Sequence, residues 1–122
     1  ETVSDMTHIL LLEDLPEIMA VNARNRQLWQ SEAGSIPGVS LQPIPVGQSS
    51  NHQYVVCRID ATAFGLTRDQ LITILRAEGL FARSYFVPGC HRSFPYREST
   101  ELRTRLTVTE LILNDVLQLP TG

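Results

Sequence analysis

The chain of 122 residues contains no lysine, and ten arginines carry all of its basic charge. Imine chemistry through a side-chain amine is thereby excluded from these residues, because a guanidinium stays protonated and is a poor nucleophile. Cysteine is scarce: Cys57 and Cys90 form neither a CxxC pair nor a disulfide framework, so a reduced, cytoplasmic setting is expected. The three histidines, His8, His52 and His91, show no metal-ligand spacing, and no metal is expected. A glycine-rich phosphate loop is also missing, since Gly34 and Gly38 only flank a turn. The longest strongly apolar run, Ile9 to Leu12, is far too short to span a bilayer. It lacks the positive flank and cleavage site of a signal peptide. A first residue Glu1 is not an initiator methionine, so the start carries no targeting information.

The arginines are scattered without a basic run or interleaved aromatics, and the net charge is −3. Neither nucleic acid nor an acidic membrane is an expected partner. With 43% hydrophobic and 19% charged residues, the composition is that of a globular domain with one modest core.

Residues 12–33 read as one helix with Asp14 as N-cap and Pro16 in its first turn. Ile18, Val21, Leu28 and Trp29 share a face at helical spacing, and Asn22 and Asn25 fall within the same stripe. Two amides on a burying face need partners. Satisfaction at the edge of the packed face, or contact with a ligand or second subunit, would each provide them. Gly34 ends the helix and Pro37-Gly38 turns the chain. Residues 39–46 carry Pro43 and Pro45 and suit an extended edge segment. The β-branched run Tyr54 to Asp60 predicts a well-buried strand.

Thr67 with Gln70 forms a capping box, and Leu66 with Leu71 a hydrophobic staple. Leu71, Ile74 and Leu75 give that helix its apolar face, and Gly79 stands at its left-handed end. Leu80 to Val87 reads as a strand closed by Pro88-Gly89, and Arg97 to Arg105 as an exposed connection. A last helix carries Thr107 and Glu110 as a second capping box, with a stripe of Val108, Leu111, Ile112 and Val116 that ends before Pro120. The order helix, edge strand, strand, helix, strand, helix predicts an α+β fold: a small antiparallel or mixed sheet with flanking helices.

Reactive side chains are densest at Arg83, Tyr85, Cys90, His91, Arg92, Tyr96 and Arg97, at a strand end and in the turn after it. Arginine with tyrosine suits a phosphate, a carboxylate or a sugar hydroxyl. The competing reading makes Tyr85 and Tyr96 packing residues and leaves the arginines solvated. Cys90 and His91 are not read as a nucleophile and base, since neighbours in a turn rarely aim at one another and no third group orients them.

At these residues the chain resembles the C-terminal small domain of the DegT/StrS family of pyridoxal-phosphate-dependent nucleotide-sugar aminotransferases. The run from Ala82 to Arg92, followed by Pro95-Tyr96-Arg97, is similar to the Ala-Arg-Arg-Tyr-Phe-Tyr-Pro-Gly-Cys-His-Arg and Pro-Tyr-Arg segments of the branch acting on 4-keto-6-deoxy sugars. Asn51 to Val56 resembles the family's strand entry, Leu66 to Asp69 its helix start, Val116 to Gly122 its Leu-Pro-Thr-Gly close, and Asn22 to Asn25 part of its long linking helix. The likeness runs from about residue 12 onward. It departs at Ser84, Val87 and Ser93, where that branch usually has arginine, tyrosine and methionine.

The resemblance implies a single small domain over residues 1–122, with residues 12–33 as the linking helix and the large cofactor domain lying elsewhere. It implies a parent enzyme that moves an amino group from glutamate, through pyridoxal phosphate, to a nucleotide-linked keto-6-deoxyhexose, and that works as a homodimer. Arg83, Tyr85 and His91 would line the substrate entrance, with Tyr96 and Arg97 next and Arg83 pairing an anion. The chain would supply substrate-entrance and dimer contacts and no cofactor lysine. Two other readings remain: a stand-alone binding or dimerisation module, and a degenerate aminotransferase that still binds a nucleotide sugar.

Overall fold

The structure, a computed structural model, describes residues 12–98 and 106–122. Helix α1 (Leu15–Ala33) has Pro16 in its first turn and stops at Gly34, as its sequence predicts. Asp14 occupies the cap position with helical backbone angles and no capping hydrogen bond. The face that α1 buries is not the one its apolar residues suggest. Asn22, Arg26 and Ala33 are buried and Trp29 is half-buried, while Ile18, Val21 and Leu28 are exposed at 40%, 37% and 56%.

The reason is what lies beneath. The helix rests on backbone carbonyls at strand ends, which need donors. Asn25 Nδ2 donates to Thr121 O at 2.7 Å and Trp29 Nε1 to Pro120 O at 2.9 Å. The guanidinium of Arg26 donates to Gln42 O and to Tyr54 O.

Strands β1 (Val39–Leu41) and β2 (Tyr54–Ile59) pair antiparallel, with β1 on the sheet edge. A one-turn helix α2 (Ala61–Phe64) follows, its first amides taken by the Asp60 carboxylate. Helix α3 (Arg68–Ala77) opens with the predicted capping box and is followed by Gly79 at φ 83°. Its packed residues are Ile72, Leu71 and Leu75, while Ile74 is 47% exposed.

The strand expected over residues 80–87 shrinks to β3 (Arg83–Ser84). It is an edge strand paired for two residues only, after which the chain bends at Phe86 (φ 47°) and closes with Gly89 N–H on Phe86 O. Short 3₁₀ turns span Cys90–Arg92 and Tyr96–Glu98. The rest of the predicted 97–105 connection, from residue 99, lies outside the described residues, as do residues 1–11.

Helix α4 (Thr107–Asp115) forms where expected, but Thr107 lies inside it and Leu106 is its uncapped N-terminal residue. The predicted Thr107–Glu110 capping box is therefore absent, and Glu110 bonds Arg92 instead. The larger correction follows. Val116 does not end the helix; it begins strand β4 (Val116–Pro120), directly after Asp115. β4 pairs with β2 on one side and β3 on the other, giving an antiparallel sheet in the order β1-β2-β4-β3.

Alternation along β2 and β4 sorts the faces. Val55, Cys57, Ile59, Leu117 and Leu119 enter the core with Ile72 and Ala82, backed by Trp29, Phe64, Leu71 and Leu75. The other face carries Tyr54, Val56 and Arg58, opposite Pro120, Gln118 and Val116, and α4 packs against it. The sheet is thus a two-sided α+β layer with its core on the α1–α3 side. No described helix is long and apolar enough to cross a membrane.

Candidate functional site

Three of the candidate residues divide between two clefts, Arg83 lining one and Tyr85 and His91 the other. Arg83 stands opposite Gln118 on β4 and lines a polar cleft of about 840 Å³ whose walls include Asn22, Gln53, Tyr54, Glu78 and Gln118. Among the described residues its guanidinium makes no ion pair and remains available to an anion. The floor of this cleft is pinned. The Thr121 hydroxyl donates to His52 O, and the Thr121 carbonyl accepts from Asn25.

Tyr85 and His91 belong to a different, mainly apolar cleft of about 730 Å³, walled by Val56, Phe86, Leu106, Ile112 and Val116. Tyr85 lies between the two clefts. Its ring is tilted against Tyr54, a wall of the polar cleft, at 5.9 Å, and stands edge-on to Phe86 at 4.6 Å. A hydrogen bond with the Tyr54 hydroxyl, helped by partial burial, raises the Tyr85 phenol above its usual range. The Tyr85 hydroxyl therefore acts as a neutral hydrogen-bonding group.

The loop carrying His91 is held against α4. At Gly89 (φ 93°) a Cβ would come within 2.7 Å of Leu113 Cδ1 and 2.9 Å of His91 Cε1, so glycine alone permits this approach. His91 Nε2 lies 3.6 Å from Glu110 Oε1, the same oxygen that Arg92 bonds. The Arg92 hydrogen bond, with a smaller contribution from His91, holds the Glu110 carboxyl below its usual range. His91 is thereby directed towards Glu110 on α4. Tyr96 is 55% exposed, Arg97 lies 3.9 Å from Glu98, and neither lines the two clefts. The five candidates are thus not one constellation: Arg83 serves one cleft, Tyr85 and His91 another, and Tyr96 and Arg97 lie apart.

Residues that the sequence reading passed over carry much of the positioning. Arg68 is buried and donates from Nη1 to Leu113 O at 3.1 Å and Val116 O at 2.9 Å, joining the start of α3 to the α4–β4 junction. Arg26 ties α1 to β2. No local sequence signal marks either one: Arg26 stands between Asn25 and Gln27, and Arg68 between Thr67 and Asp69. Among the described residues no group of three His, Cys, Asp or Glu side chains could hold a metal ion.

A solved structure with this architecture defines the class. "Crystal Structure Analysis of DesI in the presence of its TDP-sugar product" matches with a TM-score of 0.79 and 38% sequence identity, over 91% of this chain and 28% of that one. The aminotransferase TlmJ from Streptoalloteichus hindustanus matches over the same shares at 18% identity and a TM-score of 0.69, a likeness of fold. The fold is thus one found within aminotransferases. The sequence model of the DegT/DnrJ/EryC1/StrS aminotransferase family matches residues 6–122, and the chain belongs to that family. It spans little more than a quarter of the length of each of these two solved chains.

Proposed function

We propose that these residues form the C-terminal small domain of a sugar aminotransferase that moves an amino group from glutamate to a nucleotide-linked 4-keto-6-deoxyhexose. The observation that carries this reading is the family match over residues 6–122, joined to 38% identity with a protein whose structure was determined with a TDP-sugar product. Pyridoxal phosphate would supply the electron sink that makes amino transfer feasible. The residues present do not fit that group as its covalent anchor, because the chain has no amine side chain. No step through the cofactor is assigned to them; the anchor would come from the large domain of the intact polypeptide.

What this chain would contribute is the substrate entrance and contacts in a homodimer. Arg83, without an ion-pair partner among the described residues, would pair an anionic group of the substrate. Tyr85 would offer a neutral hydroxyl beside it, and His91 would close the loop onto α4. Tyr96 and Arg97, on an exposed turn, would meet substrate only when the rest of the enzyme lies over them.

The experiment is kinetic and uses the intact enzyme from the source cells. Arg83→Ala removes one charge-assisted hydrogen bond to substrate, a loss of about 2 kcal/mol, and should raise KM for the nucleotide sugar roughly thirtyfold. An unchanged KM would remove Arg83 from the entrance. A native polypeptide without a lysine-bearing domain would overturn the aminotransferase reading and leave a binding or dimerisation module.

A further inference from the structure

Tyr54 and Tyr85 meet where the two clefts adjoin. Tyr54 lines the polar cleft and Tyr85 the apolar one, and their rings pack tilted with centroids 5.9 Å apart. Both residues are half-buried. They differ in how firmly their backbones are held. Tyr54 begins β2, pairs with Pro120 across the ladder and gives its carbonyl to the buried Arg26 of α1. Tyr85 follows the last residue of β3, a strand paired for two residues only, and precedes Phe86 at φ 47°. The chain has thus left the sheet at Tyr85, and neighbouring side chains place its ring.

Those neighbours are aromatic. Tyr54 lies against the Tyr85 ring, and Phe86 stands edge-on to it at 4.6 Å. Contacts of this kind fix a ring but leave its hydroxyl free to turn about the C–O bond. The Tyr54 hydroxyl removes that freedom. The hydrogen bond between the two is the main reason that the Tyr85 phenol holds its proton above the usual range, which makes Tyr85 the donor of the pair. A phenol has a single proton to give. With that proton on Tyr54, the Tyr85 oxygen can only accept from a third group.

We propose that Tyr54 is a positioning residue, its hydroxyl holding the Tyr85 hydroxyl so that Tyr85 meets a ligand as a hydrogen-bond acceptor and selects an O–H or N–H group there. The inference rests on the entrance role given to Tyr85 above, and adds the residue that sets the direction of its hydrogen bond.

The test uses the intact polypeptide with Tyr54→Phe, which keeps the ring and removes only the hydroxyl. Tyrosine isotope-labelled at Cζ reports each phenol by NMR, and the Tyr85 signal is the one lost in Tyr85→Phe. In Tyr54→Phe that signal should titrate at lower pH than in the parent, because the acceptor of its proton is gone. Titration at the parent's pH would overturn the inference, and a merely structural role for Tyr54 predicts that result. Kinetics give the second readout. Tyr54→Phe should raise KM for the nucleotide sugar roughly fivefold and leave kcat unchanged. In a Tyr85→Phe background the same substitution should add nothing to KM. Additive effects would mean that Tyr54 acts without Tyr85, and would also overturn the inference. Tyr85→Phe with the parent's KM would instead sink the entrance reading, and the titration would still decide whether Tyr54 holds the Tyr85 hydroxyl.

Discussion

Arginine serves two purposes in this chain, and burial separates them. Arg26 and Arg68 are buried and spend their guanidinium donors on backbone carbonyls of neighbouring elements. A planar group with several fixed donors can bridge two carbonyls, which a lysine ammonium does less well. Arg83, Arg92 and Arg97 are exposed, and the last two lie against the carboxylates of Glu110 and Glu98. The cysteines divide in the same way. Cys57 lies in the core, and burial pushes its thiol from 9.0 up to about 11, whereas Cys90 is exposed on its turn. Because the thiolate is the reactive form, a maleimide or disulfide reagent at pH 8 should label Cys90 and leave Cys57 untouched until the chain is unfolded. Mass spectrometry of the labelled peptides checks this. Rapid labelling of Cys57 in the folded protein would contradict its place in the core.

At the level of elements, the junction between α4 and β4 is the feature that organises the sheet. No loop separates Asp115 from Val116, so a helix passes directly into a central strand. Arg68 holds that point by binding Leu113 O and Val116 O. Arg68→Met keeps the length of the side chain and leaves two carbonyls without this donor. It should cost about 2–3 kcal/mol of stability, read as a lower urea midpoint at unchanged slope. A midpoint within error of the parent would mean that the junction holds itself. The sequence showed this region only in part. Thr67, Gln70 and Gly79 announced α3 because caps depend on residues three or four apart. Val116 to Leu119 fit the end of a helical stripe equally well, and only pairing with Tyr54 to Arg58 settles them as strand.

For the whole molecule, the notable property is apolar surface on the side away from the core. On α4, Val108 and Leu111 are 70% and 63% exposed, and Phe86, Val87 and Phe94 lie open on the preceding loop. Exposed patches of this kind mark surfaces that meet a partner. The 122-residue chain by itself should therefore bind a hydrophobic dye and self-associate, and Leu111→Glu should reduce both. Sedimentation and dye fluorescence measure it. A strictly monomeric chain that leaves the dye dark would argue against any covering domain or subunit at this face.

Much of the architecture follows from the sequence by itself. The class of fold, the edge position of Val39 to Leu41, the buried strand from Tyr54, the capped helix from Arg68 and the absence of an imine-forming amine are all encoded by near neighbours or by composition. Tertiary structure decided the rest. It turned α1 so that Asn25, Arg26 and Trp29, and not Val21 and Leu28, face inward, because unpaired strand-end carbonyls lay beneath. It converted the tail into the strand at the centre of the sheet. It divided Arg83 from Tyr85 and His91, neighbours in sequence, between two clefts. Each of these outcomes depends on contacts between residues far apart in the chain, and a local pattern of apolar and polar residues carries no record of which distant carbonyl, strand or cleft will be there to meet it.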